Sequence, residues 1–341
     1  MRASSKILAL TAIACLAVAK GSCAGIWTEL AQIPFIPRQE HSAVAINATT
    51  LAVLGGIVAV GDGWGNTDLV TYYDIPSDTW IEGPPLPVGL NHPNSVAHEG
   101  KIYLMGGLAE TGPGLPWVAT PETWVLDPAA AEWTSLAPFP EGTERGSAIV
   151  GLYDDKIFLA GGLSSLHLAP GGASIAVDTV SSFDILTGEW TEYPDHALPG
   201  PKDHAAGGIV GSTLWITGGR HIAAGVIQTR DVLALDLAEM EAGWESLNGT
   251  ARMPTSRGGH MAGVVGDLIY AFGGEGIGPA GGVFNQSEVF DTKTRTWKSL
   301  EPMPLPRHGS VSVVVGGDIY IPGGGLVLGT MPTNTTEVFR P

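Results

Sequence analysis

The sequence predicts an all-β fold, a six-bladed β-propeller of four-stranded blades. Two sets of residues recur with a period near fifty, which is typical of propellers and solenoids. The first set is a glycine pair, found at Gly55-Gly56, Gly106-Gly107, Gly161-Gly162, Gly218-Gly219, Gly273-Gly274 and Gly323-Gly324. The second set is a tryptophan, found at Trp27, Trp80, Trp133, Trp190, Trp244 and Trp297. We therefore assign a single propeller domain to residues 25–341.

Each repeat is expected to contain the same four strands. A polar turn leads into a first apolar strand such as 42–46, and a second strand such as Lys101–Met105 runs into the glycine pair. The third strand ends in Asp, as at Asp291, and the fourth carries the tryptophan. Glycine allows the inner strands to crowd together and accepts backbone angles closed to other residues. The tryptophan rings are expected to pack between blades.

The last repeat is incomplete, because residues 336–341 form a third strand and no residues follow for a fourth. Trp27 also comes too early to belong to a complete first repeat. We therefore predict that residues 26–30 form the outer strand of the last blade and close the ring. Such closure removes an exposed sheet edge.

Residues 1–24 are predicted to be a signal peptide, with a basic start, an apolar stretch at 7–19 and small residues near the cleavage point. We therefore expect a secreted protein without a membrane span. Both cysteines, Cys15 and Cys23, lie in this segment, so no internal disulfide is expected. Four glycosylation acceptor sites fit export from a eukaryotic cell: Asn47, Asn248, Asn285 and Asn334.

The formal net charge of −17 disfavours some classes of partner. A surface this acidic repels the phosphates of nucleic acids and the head groups of anionic lipids. We expect a monomer whose partner is a small molecule, a glycan or a protein.

With these repeats, the chain resembles the kelch-repeat family. The double glycine, the Asp-terminated third strand and the spaced tryptophan are that family's motif, and they cover the chain after the predicted signal peptide. The sequence departs from the motif at Trp215, where an aromatic residue of another type is usual, and in the third strand of repeat four, which has no aromatic residue. The resemblance implies the propeller architecture and leaves the function open.

Ligands are expected at the mouth of the channel where the turns before the first strands meet. These turns are rich in cations and histidine, at Arg38, His41, His92, Arg145, Lys202, His204, Arg257, His260, Arg307 and His308. Such a mouth would suit a carboxylate, phosphate or polyhydroxylated ligand. An alternative stays open, in which the same side chains bind backbone carbonyls between blades.

The loops after the glycine pairs are expected at the same mouth. They supply four more predicted ligand-binding residues: Trp64, Trp117, Arg220 and His221. The two tryptophans fall outside the repeated pattern, so they could stack on a sugar or an apolar metabolite. In the alternative interpretation each ring caps its own loop.

The sequence contains no nucleophile elbow, phosphate-binding loop or nucleotide fingerprint. It predicts no cofactor and no metal site, although a propeller can gather one histidine per blade around its axis. Two hypotheses follow. The first is a protein that binds a polar or anionic ligand at the channel mouth. The second is a cofactor-independent isomerase, epimerase or cyclase acting on a small metabolite of a specialised pathway, and the sialate mutarotases of similar fold support it by resemblance.

Overall fold

The computed structural model describes residues 25–167, 172–222, 225–277 and 282–341. The predicted signal peptide at 1–24 lies outside the described residues. The described chain is an all-β propeller whose only helices are the short 3₁₀ turns Pro194–His196, Met240–Ala242 and Gly249–Ala251. Within this part of the chain, none of the helices has the length and hydropathy that crossing a membrane requires.

Five of the six repeats form separate four-stranded antiparallel sheets. The strands of repeats one and two are Ser42–Asn47, Thr50–Leu54, Val70–Asp74 and Thr79–Glu82, then Ser95–His98, Lys101–Met105, Thr123–Asp127 and Glu132–Ser135. Those of repeats four and five are Ala206–Val210, Thr213–Thr217, Val232–Asp236 and Glu245–Ser246, then Met261–Val265, Leu268–Phe272, Ser287–Asp291 and Thr296–Ser299. Those of repeat six are Val313–Val315, Asp318–Pro322, Thr336–Arg340 and Ile26–Leu30.

Repeat three does not form the separate sheet that the sequence predicts, so the count of separate four-stranded sheets is five rather than six. Its strands are Ile149–Tyr153, Lys156–Leu166, Ile175–Asp184 and Trp190–Glu192. The long second strand runs through its glycine pair with a bulge, and Leu166 pairs with Trp117 of the preceding repeat. The loop strands Leu90–Asn91, Leu108–Glu110 and Trp117–Ala119 therefore join repeat three in one seven-stranded sheet.

The other loops after the glycine pairs form two-stranded hairpins. Their strands are Ile57–Val60 with Gly63–Asn66, Arg220–Ile222 with Val226–Gln228, Glu275–Gly276 with Gly282–Val283, and Gly325–Val327 with Thr330–Pro332. Each hairpin is tied to the turn before its repeat's first strand by one antiparallel bridge. The hairpins thus place loop side chains beside the turns, as the sequence predicts.

The predicted ring closure is confirmed. Ile26–Leu30 pairs antiparallel with Thr336–Arg340, so the fourth strand of the last sheet comes from the start of the described chain. Trp27 lies opposite Phe339, with the ring centroids 5.0 Å apart, and 5.3 Å from the ring of Phe272.

The six repeated tryptophans join neighbouring repeats, as predicted. Each indole N–H donates to a backbone carbonyl of the preceding repeat, namely Glu301, Ala31, Pro84, Ala137, His196 and Ala251 in chain order of the donors. The bond from Trp27 to Glu301 completes this outer ring. Buried apolar clusters fill the space between repeats, for example around Trp215 and Phe290.

We expect the Trp27→Ala variant to lose about 2–3 kcal/mol of unfolding free energy, because the ring packs on two aromatic side chains and closes the propeller. Trp64→Ala is a matched control, since Trp64 is 42% exposed and lies outside the ring of indole bonds. Its cost should stay within about 0.5 kcal/mol. Urea unfolding followed by circular dichroism measures both, and equal losses would contradict the proposed closure.

The four predicted glycosylation acceptors lie at or near the surface. Asn47, Asn248 and Asn285 are exposed, and Asn334 is half-buried. Their glycosylation stays a prediction.

Candidate functional site

A ring of six hydrogen bonds, each donated by a backbone N–H group, surrounds one end of the channel. One residue of each entering turn has a left-handed backbone, with φ between 48° and 60°: Glu40, His92, Ser147, His204, Gly259 and Gly309. Five of their N–H groups donate to the carbonyl of the equivalent residue in the preceding repeat, and His204 N–H donates to Ser147 Oγ. We call these six residues the channel belt. Glu40 N–H closes the belt on the Gly309 carbonyl at 2.6 Å.

Four belt residues carry side chains in a conformation that costs a residue with a Cβ about 1–2 kcal/mol. Repeats five and six use glycine for the same turn, so the turn itself needs no side chain there. Strained backbone of this kind concentrates at functional sites. The belt side chains of Glu40, His92, Ser147 and His204 are therefore the first candidates for function.

The belt lies at one end of a channel cavity of about 190 Å³. The first strands line the rest of it with small or apolar residues such as Ser42, Ser95, Ala206 and Ala262. Among the described residues that line this cavity, none is lysine or arginine. The cavity therefore differs from the basic mouth that the sequence predicts.

Three belt side chains converge on one point. His92 Nε2 lies 3.0 Å from His204 Nε2 and 3.1 Å from Glu40 Oε2. His204 Nε2 lies 3.9 Å from the same Glu40 oxygen. The two imidazoles are buried, and the Glu40 side chain is 11% exposed. Two nitrogen ligands and one carboxylate from three different repeats thus meet beside the cavity.

Neighbouring side chains orient both imidazoles. The Nδ1 of His92 lies 2.5 Å from Asn91 Oδ1, and the Nδ1 of His204 lies 2.6 Å from Asp203 Oδ1. An amide or carboxylate oxygen accepts, so each Nδ1 carries a hydrogen, and each Nε2 is turned toward the other imidazole and the Glu40 carboxylate. Burial lowers the pKa of His92, which favours its neutral form.

Arg220 stacks on His204 and does not compete for its Nδ1 hydrogen bond. Its Nη2 lies 2.7 Å from Nδ1 and 3.2 Å from Nε2 of His204. A donor in the plane of the ring cannot come this close to both nitrogens, so the guanidinium lies over the face of the ring. The same guanidinium binds Asp203 at 2.7 Å and Glu275 at 3.5 Å.

His308 bridges two carboxylates behind the belt, with Nδ1 3.5 Å from both Glu40 and Glu275. Burial opposes charge on this imidazole, but the facing carboxylates of Glu40 and Glu275 outweigh burial and raise its pKa. Burial likewise opposes ionisation of Glu40, yet the imidazoles of His92 and His308 hold its pKa well below the usual range. Three carboxylates, counting Asp203, thus face the guanidinium of Arg220 and the imidazole of His308.

Five predicted ligand-binding cations lie inside the repeats and away from the cavity: Arg38, Arg145, Lys202, Arg257 and Arg307. Each is at most 1% exposed and donates to backbone carbonyls of its own repeat. Each also donates to one side chain at its third strand, namely Thr71, Ser181, Asp231, Glu288 and Glu337 in the same order. These side chains thus bind carbonyls, as in the alternative interpretation, but the carbonyls belong to their own repeats and not to neighbouring blades.

His41 and His260 are buried beside the glycine pairs of neighbouring repeats. Burial, with Arg38 nearby, lowers the pKa of His41 to about 3. Burial and Arg257 hold the pKa of His260 well below its usual range. Both imidazoles are therefore neutral at physiological pH.

Three predicted residues lie in outer pockets apart from the channel. Trp64 and Trp117 line one pocket together with His167 and Leu115, and Trp117 is buried. His221 lines another, where its Nδ1 lies 2.6 Å from the Pro201 carbonyl. The structure brings the two tryptophans together but does not bring them to the belt.

Sequence reasoning missed Glu40, Asp203, Glu275 and Asn91. Three of these lie in the very turns that the sequence singles out, but the search there followed cations and histidine only. A search for acidic side chains in those turns would have found Glu40 and Asp203. Glu275 directly follows a glycine pair, as Arg220 does. Because Arg220 was a predicted site residue, the same position in repeat five could have predicted Glu275.

The comparisons with known proteins agree with the repeat pattern. A family model described as the KLHDC2/KLHL20/DRC7 Kelch-repeats domain matches residues 171–324. The Kelch-like protein terF of Aspergillus terreus is 40% identical over 324 residues, which cover 93% of this chain and 68% of the relative. Kelch domain-containing protein 3 of Bos taurus is 28% identical over 264 residues, which cover 72% of this chain and 65% of the relative. The chain thus spans about two thirds of the length of these relatives.

Proposed function

The chain belongs to the kelch-repeat family, and on that premise we propose that it binds a small polar molecule in the channel cavity beside the belt. The observation that carries this proposal is the convergence of Glu40, His92 and His204 on one wall of the cavity. Sites for drug-sized ligands enclose about 300–1,000 Å³, so a cavity of about 190 Å³ suits a smaller ligand.

The charges beside the cavity favour a neutral or cationic ligand over an anion. Glu40 faces the cavity directly, whereas Arg220 lies behind His204 and is already paired with Asp203. An anion at the belt would meet the Glu40 carboxylate with no free cation beside it among the described cavity residues. We therefore narrow the predicted ligand class to hydroxyl-rich or amine-bearing small molecules.

A thermal-shift assay of the full chain with glucose, glucosamine, gluconate and inorganic phosphate tests this proposal. Glucose or glucosamine should raise the melting temperature, because ligand at about 100 times its Kd adds about 2.7 kcal/mol. Glu40→Gln should abolish the shift, while Glu82→Gln, an exposed glutamate of repeat one, should retain it. A shift with phosphate or gluconate, or a shift that survives Glu40→Gln, would overturn the assignment.

The second candidate, an isomerase or epimerase, is favoured by the Asp203–His204 pair. Asp203 holds the Nδ1 hydrogen of His204, which leaves Nε2 as a base facing the cavity. In this case His204→Asn abolishes conversion of a bound small metabolite, measured as product or as deuterium exchange from solvent. Ligand binding without either signal favours the binding protein.

Secretion, directed by residues 1–24, belongs to the same proposal. Expression of the chain with and without residues 1–24 in a fungal host, followed by blotting of medium and cells, tests it. Protein in the medium only when these residues are present supports export. Equal retention in cells refutes it.

A further inference from the structure

We propose that Glu40, His92 and His204 bind a divalent first-row transition-metal ion at the channel belt. The proposal does not depend on the ligand proposed above, whose preference for neutral or cationic molecules was argued for the belt without a metal ion. It rests on ligand distances, on the orientation of the two imidazoles and on the backbone of the belt.

The distances fit a single ion. Bonds of about 2.1 Å place two ligand atoms about 3.0 Å apart at a right angle and about 3.4 Å apart at a tetrahedral angle. His92 Nε2 lies 3.0 Å from His204 Nε2 and 3.1 Å from Glu40 Oε2. Both separations are close to the value for a right angle at the metal. The remaining separation, 3.9 Å, shortens by a small rotation of the Glu40 or His204 side chain.

The orienting partners point the correct atoms inward. Asn91 and Asp203 accept hydrogen bonds from the two Nδ1 atoms, so both Nε2 atoms face each other and the Glu40 carboxylate. Contacts this short between two Nε2 atoms and a carboxylate oxygen need a proton or a metal cation shared among them, and a metal ion can coordinate all three atoms at once. A metal-bound histidine characteristically donates its other N–H to a carboxylate or carbonyl oxygen in this way.

The belt places the three donors at equivalent positions of repeats one, two and four. Their backbones are fixed by bonds between repeats, so the donors are held before any ion binds. The left-handed conformation costs less with glycine, which repeats five and six use. Glu40, His92 and His204 therefore carry side chains at positions where the backbone itself would be less strained with glycine.

The donor set selects the kind of ion. Two imidazoles and one carboxylate suit Zn²⁺, Fe²⁺, Co²⁺ or Mn²⁺, whereas Ca²⁺ and Mg²⁺ prefer oxygen ligands throughout. Three protein ligands leave coordination positions for water or for a polar ligand from the cavity. The ion would then give the Glu40 wall of the cavity a Lewis-acidic centre.

Isothermal titration of tag-free, EDTA-treated full chain with Zn²⁺ and Co²⁺ tests the site. One equivalent of metal should bind. Loss of an orienting partner typically lowers metal affinity by roughly 10–100-fold, and Glu40→Gln and His92→Asn should each lower it by more than that. Asp203→Asn should lose about 10–100-fold. His221→Asn, at a 36% exposed imidazole beside Asp231, is the matched control and should retain affinity.

Thermal unfolding of each variant without metal shows whether it folds. Anomalous scattering at the zinc edge from crystals of the wild-type chain adds a readout that needs no variant. No stoichiometric binding, unchanged affinity in the folded Glu40 and His92 variants, or an anomalous peak away from these residues would overturn the site. A chain that binds Zn²⁺ here but none of the small molecules refutes only the ligand proposal.

Discussion

Arg307→Met is expected to lower the unfolding free energy by about 3–5 kcal/mol, the usual cost of breaking a buried ion pair from one side. Arg307 is fully buried, and its Nη2 lies 2.6 Å from Glu337 Oε2, a carboxylate that is 5% exposed. Burial raises the pKa of Glu337 and the Arg307 charge opposes that rise, so the carboxylate depends on its partner. Removing the arginine leaves that carboxylate in the protein interior with no cation. Urea unfolding measures the loss.

The double variant Arg307→Met with Glu337→Leu should recover most of the loss, because apolar side chains of similar volume can replace a buried pair at little cost. Repeats one and three show that a carboxylate is not required at this position, since the side-chain partners of Arg38 and Arg145 there are the hydroxyls of Thr71 and Ser181. Arg340→Met removes an exposed pair and should cost less than about 1 kcal/mol. A double variant as unstable as the single one would contradict the ion-pair explanation.

Gly218→Ala is expected to lower the unfolding free energy by about 2–5 kcal/mol, as the sum of two effects. Its φ of 57° strains any residue with a Cβ by about 1–2 kcal/mol. A Cβ would also lie 2.6 Å from the carbonyl oxygen of Arg257 in the next repeat, which is closer than contact distance. Relieving that overlap requires the two repeats to separate, which adds about 1–3 kcal/mol. Differential scanning calorimetry measures the combined effect as a lowered melting temperature.

Gly211→Ala is the matched control in the same repeat. Its φ is 62°, but no atom lies within 4 Å of the Cβ that it would gain. It should show only the conformational cost, about 1–2 kcal/mol. Similar losses in the two variants would mean that the glycine pair is required for its backbone angle alone and not for the close approach of repeats.

Much of the fold could be predicted because its signals are local. The period of the glycine pairs follows from backbone angles and close packing at each position, as Gly218 illustrates. The early Trp27 predicted the strand that closes the ring. The exception is repeat three, where Leu166 extends a strand to pair with Trp117. This pairing depends on a loop of the neighbouring repeat, so it cannot be predicted from the residue pattern within one repeat.

The sequence predicted where the site lies in the fold, but it did not predict which side chains form it. The entering turns were the correct segments, but Arg257 turns into its repeat toward Glu288 while His204 turns toward the channel. Arg257 occupies the turn position two residues before the one that His204 occupies in its own repeat. The side chains at these two positions point in different directions, and the second position has the left-handed backbone. Charge in a turn therefore did not predict charge in the cavity.

By itself the sequence determined the propeller, its repeat unit and its closure by the first strand, because each depends on residue types at a fixed period. Only the tertiary structure decided that Glu40, His92 and His204 meet, because they come from repeats one, two and four. The repeat puts these donors at equivalent turn positions, but the bonds between turns of neighbouring repeats set the distances between them.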